Sequence, residues 1–363
     1  MKNQKRKVIG AAVGFLMFCL FIWLKPQEDY SAAERRKLEQ FPEIHMDAIL
    51  NGSFMKDFEA YTVDQFPLRE LFRRIKAVVS LKKDNHGLYL AKGYLNSMEY
   101  PLDEEAVLYA SRVFQNICDK YVENNAVYLS VIPDKNYFLA EENGYLALDY
   151  EKMVSDLKKQ NANMHYIDIF PLLTEEAYYK TDIHWRQEKL IPVAEEILKV
   201  MCKEDFLSEK SRTKYQEKQV DGDFYGVYYG QAALPVKPDK ISYLSNSIIT
   251  EYRVYDYQNA KEIPVYDIEK TKGKDPYEMF LGGSISLLTI ENANSISNRE
   301  LIVFRDSFGS SIAPLLASSY DKTTLIDIRY INSSVLEQYV DFNNADVLFL
   351  YSVPVLNNSE TLK

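Results

Sequence analysis

Leu301-Ile302-Val303-Phe304-Arg305-Asp306-Ser307-Phe308-Gly309 runs from a continuous apolar stretch through a polar turn into a second apolar segment. Residues 301–304 have the character of a strand buried on both faces, and residues 308–317 that of a helix, with Pro314 in its early part. A strand, a tight turn and a helix in that order form the unit of an α/β fold. Working outward, Ala126–Ile132 is another near-continuous apolar run, ended by Pro133. Residues 165–169, 323–328 and 346–351 read as further strands. Helical spacing covers 102–123, 150–159 and 186–202. This alternation predicts an α/β domain of three layers, helices over both faces of a largely parallel sheet. Residues 87–95, with turn glycines Gly87 and Gly93, read as a hairpin. Residues 248–257 and 262–268 read as a second hairpin, added at a sheet edge.

In open α/β sheets, sites form at the carboxyl ends of strands. Ser307 falls at such an end, just before a helix whose N-terminus favours developing negative charge. On its own, Asp-Ser before a helix fits an N-cap pair equally well. Far upstream lies Tyr178-Tyr179-Lys180-Thr181-Asp182-Ile183-His184-Trp185. The chain has four histidines and two tryptophans, and one of each stands here. If the segment is extended, Asp182 and His184 project to one side. An imidazole oriented by a carboxylate can take the proton of a serine hydroxyl. The other histidines, His45, His86 and His165, show no metal-ligand spacing. No metal or other cofactor is called for.

Lys2, Lys5, Arg6 and Lys7 precede an uncharged apolar run over 8–24. At about 1.5 Å per residue the run reaches roughly 25 Å, the short end of a membrane span. The expectation is a cytoplasmic basic tail (1–7), a single-pass transmembrane signal anchor (8–24), a stalk with juxtamembrane helices (25–85) and an extracytoplasmic α/β domain (86–363). Within the last, 204–300 is read as an insertion with edge strands. A cleaved signal peptide is the competing reading, although bulky Trp23-Leu24-Lys25-Pro26 offers no small-x-small site. In the stalk, Ser53 is the expected N-cap of a helix bearing Phe54, Phe58 and Tyr61. A second helix over 68–81 sets Leu71, Phe72 and Ile75 on one face. Arg69, Arg73, Arg74 and Lys76 lie opposite, as a solvated face or a contact for membrane or partner.

Without the four basic residues of the tail, 39 basic residues face 53 acidic ones, a balance of −14. Such a field repels nucleic acid. Twenty-eight tyrosines suit a wet, partly apolar cleft such as one for sugars, and they also suit strands. Cys118 and Cys202 are read as isolated core thiols or as one disulfide. The Gly/Tyr-rich stretch 221–230 lines a cleft or forms turns.

Thr181-Asp182-Ile183-His184-Trp185 together with Arg305-Asp306-Ser307-Phe308 resembles the DHHW protein family, which is related to the SGNH-hydrolase-like proteins that O-acetylate alginate in bacterial envelopes. Asp64-Gln65-Phe66-Pro67-Leu68-Arg69, Ile132-Pro133-Asp134-Lys135, Phe280-Leu281-Gly282-Gly283 and Ile326-Asp327-Ile328-Arg329-Tyr330 add to the likeness, which spans residues 40–352. The resemblance implies an SGNH-hydrolase-like (flavodoxin-like) sandwich. It implies a triad of Ser307 as nucleophile, His184 as base and Asp182 as its orienter. It implies an O-acetyltransferase or acetylesterase acting on cell-envelope polysaccharide beside other envelope biosynthesis proteins. The alternative is a catalytically weak carbohydrate-binding or scaffold protein. Gly282, Gly283, Arg329 and Trp185 are the candidates for substrate or oxyanion contacts. Two positions depart from the pattern. Ile183 stands where the family name has a histidine. Arg305 stands where the SGNH nucleophile block has glycine, and it is expected to crowd the approach to Ser307.

Overall fold

The computed structural model describes residues 10, 13–18, 26–31, 34, 36–66, 68–79, 84, 85, 87–122, 125–202, 214–295 and 297–363. Among the described residues no helix is long and apolar enough to cross a membrane. Of the expected anchor 8–24, residues 10 and 13–18 are helical. The remainder of that stretch, His86 and the side chain of Lys76 lie outside the described residues. The chain divides into two compact units, one of 1–86 with 229–235 and one of 87–228 with 236–363.

In the first unit, helix α1 (Ser53–Asp64) is preceded by Gly52 in the left-handed conformation, and Ser53 is its first helical residue. The expected serine cap is therefore displaced by one position: the Asn51 side chain accepts the Ser53 N–H instead. Helix α2 (Arg69–Val79) departs from the expected pattern at Arg69 and Arg73, while Arg74 is exposed as expected. Arg69 is only 8% exposed, whereas Leu71 and Phe72 are 55% and 57% exposed. The guanidinium of Arg69 pairs with Glu34 at 2.7 Å and Glu70 at 2.9 Å. Arg73 lies 3.3 Å from Glu34 and donates to the carbonyls of Gly230 and Gln231. Arg36 closes the cluster on Asp64 at 2.5 Å. Arg69 and Arg73 face inward because the buried Glu34 carboxylate meets them, and there charge pairing outweighs the apolar stripe as the guide to orientation.

The second unit carries the site. Helix α3 (Glu104–Tyr121) begins at Asp103, whose carboxylate accepts the Ala106 N–H. It leads into β1 (Val127–Ile132), α4 (Lys135–Leu139), α5 (Tyr150–Gln160), β2 (His165–Tyr166) and α6 (Ile191–Cys202). There follow β3 (Arg253–Asp256), β4 (Lys261–Ile263), β5 (Leu287–Glu291), β6 (Glu300–Arg305), α7 (Gly309–Leu316), β7 (Lys322–Ile326) and β8 (Ala345–Ser352). The eight strands form one sheet in the order β4-β3-β5-β7-β6-β8-β1-β2. From β7 to β2 every pairing is parallel, while β5, β3 and β4 extend the sheet antiparallel.

Alternation along the strands feeds two cores. Val127, Leu129, Val347, Phe349 and Tyr351 pack with α3 and α5. Tyr128, Leu301, Val303, Leu348 and Leu350 pack with α6 and α7. The three-layer α/β/α body is thus present, with a sheet more mixed than expected. The antiparallel β5 was not singled out within the expected insertion 204–300, because its short run beside Gly282-Gly283 is broken by Ser286 and Thr289. The edge hairpin β3–β4 and the hairpin Leu88–Ala91/Tyr94–Ser97 occur where expected. Cys118 and Cys202 are both buried and unpaired in a disulfide.

Candidate active site

The 178–185 segment is a loop, not a strand. Tyr178 bridges Trp185, and the Arg186 N–H closes on the Ala177 carbonyl at 2.7 Å. The two side chains that extended backbone was expected to align are instead brought together by this turn. Around its tip the backbone is held from several sides. Asp239 accepts the N–H groups of Lys180 and Thr181 at 2.9 and 2.8 Å and the Thr181 hydroxyl at 2.7 Å. Lys135 is fully buried, and its ammonium donates to the Tyr179 carbonyl at 2.9 Å and to that of Leu95.

The Asp182 carboxylate reaches His184 Nδ1 at 2.6 Å and accepts the His184 N–H at 3.1 Å. Its second oxygen accepts the Val227 N–H at 2.9 Å. His184 Nε2 lies 2.8 Å from Ser307 Oγ. The structure therefore joins Ser307, His184 and Asp182, 123 residues apart at the widest step, into one hydrogen-bonded relay. Burial works to raise the Asp182 carboxyl. The charge and hydrogen bond of His184, with the Val227 and His184 N–H groups, overcome it and hold Asp182 well below the usual carboxylate range. An ionised, fixed carboxylate is what keeps an imidazole in one orientation with Nε2 toward the serine.

Ser307 sits in the turn between β6 and α7. Asp306, not Ser307, makes the capping bonds: it accepts the Phe308 N–H at 2.9 Å and the Ser352 N–H and hydroxyl at 2.8 and 2.6 Å. This ties the Ser307 turn to β8 and leaves the Ser307 hydroxyl to His184. Ser307 is partly exposed, while His184 and Asp182 are buried.

Arg305 is fully buried and lies beneath the turn. It donates to the carbonyls of Gly283 and Ile285, and a Cβ at Gly309 would come within 2.7 Å of its Cβ. The expected crowding of Ser307 does not occur, because this side chain points under the site. Ile183 packs against the main core cluster, so the position at which the family name has its first histidine is here a packing position.

Trp185 is also buried. Its indole N–H is shared between the Phe308 carbonyl at 3.0 Å and Ser311 Oγ at 2.9 Å. It pins the histidine loop to the serine turn and has no surface to offer a substrate. Gly282 and Gly283 both have positive φ, and a Cβ at either would meet Ile285 or Glu278 at 2.7 Å. The carbonyl of Gly283 is taken up by Arg305 and Ser310. Arg329 is bound in two-point contact to Asp327 at 2.8 and 2.7 Å, at the carboxyl end of β7 beside β6.

Several contributors were not legible beforehand. Tyr277 lies flat on the His184 ring, centroids 3.7 Å apart and planes at 6°, with its hydroxyl on Ser311 at 2.8 Å. Gly226 passes so close to Asp182 that an added Cβ would fall 2.3 Å from the Asp182 Cβ. The only signal was the Gly/Tyr-rich stretch 221–230, of which Gly226 and Val227 lie against the Asp182 carboxylate. Among the described residues no three His, Cys, Asp or Glu side chains gather as a metal site.

An α/β body with a Ser-His-Asp relay at the carboxyl edge of its sheet has the layout of serine-dependent acyl-transfer proteins. No family model matches the sequence, and no curated protein does either. Solved structures do. A DHHW family protein from Eubacterium siraeum is similar over 76% of this chain and 93% of its own, at 20% identity and a TM-score of 0.58. PatB1 of Bacillus cereus is similar over 74% of this chain and 96% of its own, at 17% identity and a TM-score of 0.59. A second PatB1 structure, bearing a sulfonyl adduct, matches at 16% identity and a TM-score of 0.57, over 74% of this chain and 95% of its own. The likeness to DHHW proteins thus holds at the level of the fold.

Proposed function

We propose that this protein is a serine-dependent acyl-transfer enzyme that moves acetyl groups to or from envelope carbohydrate. The carrying observation is the relay of 2.8 Å from Ser307 Oγ to His184 Nε2 and 2.6 Å from His184 Nδ1 to Asp182. His184 takes the Ser307 proton as Oγ bonds to the acetyl carbonyl carbon. The resulting oxyanion meets the Ser307 N–H, which donates to no group among the described residues. As the intermediate collapses, the leaving alkoxide takes the proton back from His184, and the acetyl group stays on Ser307. A sugar hydroxyl or water then repeats the sequence in reverse. Transferase and esterase share this acyl-enzyme and differ in whether an acceptor excludes water.

The basic tail before the apolar run 8–24 supports a single-pass anchor with an extracytoplasmic catalytic unit. The family resemblance supports polysaccharide as acceptor and other envelope proteins as company. The direct test is hydrolysis of an activated acetyl ester, with and without added glycan. Ser307→Ala is expected to lower kcat by about 10⁶-fold, the scale seen when a triad serine is removed. A sulfonyl fluoride is expected to label Ser307 in the unaltered protein and not in the variant. Equal turnover by the two proteins would remove the assigned nucleophile.

A further inference from the structure

Three strands away from Ser307, the carboxyl ends of β1 and β2 carry a concavity. We propose that it is a subsite for a neutral sugar unit of the same glycan. This deepens the acyl-transfer reading, and it rests on that reading for the glycan as ligand. The pocket holds about 380 Å³, within the roughly 300–1,000 Å³ typical of small-molecule sites. Tyr137, Tyr150, Tyr166 and Phe170 form its apolar walls, and Glu151, Lys158 and Asp168 its polar ones.

The rings are set in advance. Tyr137 stands edge-to-face with both Tyr150 and Phe170, each at 4.9 Å, yet remains 42% exposed. An exposed ring held on two sides presents a fixed flat surface to the C–H face of a pyranose at little entropic cost. Tyr166 carries a buried hydroxyl with no hydrogen-bond partner among the described residues. Lys158 holds its ammonium 4.9 Å from the centre of that ring. The Tyr166 hydroxyl is itself closed to solvent, so Tyr166 contributes its ring to the wall. Two carboxylates against one ammonium disfavour a uronate and favour a neutral sugar, whose hydroxyls donate to Glu151 and Asp168.

Placement relates the pocket to the reaction. In the sheet, β6, which leads to Ser307, is separated from β2 by β8 and β1. Three strand spacings of about 4.8 Å put the two edges roughly 14 Å apart. A chain of sugars spans that distance and a single sugar does not. Helix α4 serves both places: Tyr137 lines the pocket, and the neighbouring Phe138 ring lies 5.8 Å from Tyr178 at the base of the histidine loop.

The test is calorimetry on the full-length Ser307→Ala protein with hexamers of glucose, mannose and N-acetylglucosamine, and with a polyuronate hexamer. At least one neutral hexamer is expected to bind. Tyr137→Ala should weaken it about tenfold, Tyr137→Phe should retain it, and Asp168→Asn should weaken it about threefold with unchanged melting. Asp168→Asn decides the matter if Tyr137→Ala does not fold. Absence of binding by every neutral hexamer overturns the subsite. So does binding indifferent to Tyr137→Ala and Asp168→Asn, or tighter binding of the polyuronate. Because Ser307 is already removed, these outcomes are independent of the ester assay. Failure of the chemistry would appear as Ser307-independent turnover, and failure of the subsite as mutation-independent binding.

Discussion

The histidine loop 178–185 and helix α2 solve opposite problems with the same materials. The loop is irregular backbone, yet nearly every polar group on it is spoken for: Asp239 and Lys135 hold its main chain, and Val227 and Ser307 complete its carboxylate and imidazole. The helix is regular, and local spacing would send its leucines inward. Instead Arg69 and Arg73 turn in to Glu34, and Leu71 and Phe72 stay outside with Arg74. Regular secondary structure did not guarantee the expected burial, and lack of it did not prevent an ordered site. In both segments the deciding factor is where buried charges find partners, because an unpaired buried charge costs more than an exposed leucine.

The comparison can be broken in four places. The largest effect is expected at Asp182. Asp182→Asn should lower kcat for an acetyl ester about 10⁴-fold, because an amide N–H facing Nδ1 leaves the imidazole proton on Nε2, where it cannot accept from Ser307. A loss under about tenfold would mean that the loop does not serve His184 in this way.

Next comes Arg69→Ala, expected to destabilise the first unit by about 2–3 kcal/mol. That is short of the roughly 3–5 kcal/mol for an isolated buried pair, because Arg36 and Arg73 still face Glu34. Hydrogen exchange at the amides of α1 and α2 in the full chain reads this directly, and unchanged protection would refute the inward-facing cluster.

Lys135 supplies a pH signature. Burial pushes its ammonium down to about 7, against the raising influence of Asp182, Asp239 and Asp134. The unfolded chain keeps this proton up to about pH 10. Between about pH 7 and 10 the unfolded state therefore binds more protons, and stability should rise with pH through this group, by at most about 1.4 kcal/mol per pH unit. Urea denaturation between about pH 7.5 and 9.5 should show a slope that shrinks in Lys135→Met. An equal slope in both proteins would place the proton elsewhere.

The smallest effect is expected at Leu71. Leu71→Ser should change stability by no more than about 0.5 kcal/mol, since the side chain is already exposed. A loss of 2 kcal/mol or more, about the cost of uncovering a core leucine, would mean that this face is covered in the folded protein.

Much of the second unit was legible in the sequence. The runs 126–132, 301–304 and 346–351 are apolar on consecutive residues because both sheet faces are covered, and they mark β1, β6 and β8 directly. Asp182, His184 and Ser307 could be picked out because few residue types perform proton transfer and acyl attack, and each stood near an element boundary. Strand β5 escaped notice because a short apolar run beside two glycines has no period of its own. Trp185 was a candidate for a substrate or oxyanion contact, and its burial was not legible because the rarity of tryptophan says nothing about which way its ring points.

What the sequence determined by itself is therefore the alternation of elements, the residue types able to react, and the acidic balance that disfavours nucleic acid. The tertiary structure alone decided that the loop turns back on itself, that Gly226 and Tyr277 close around the Asp182–His184 pair, that Arg305 passes under the Ser307 turn, and that α2 turns Arg69 and Arg73 inward. Periodicity and composition are properties of neighbours in the chain. Satisfaction of a buried charge or hydrogen bond depends on partners tens to hundreds of residues away, and only the folded arrangement brings those partners together.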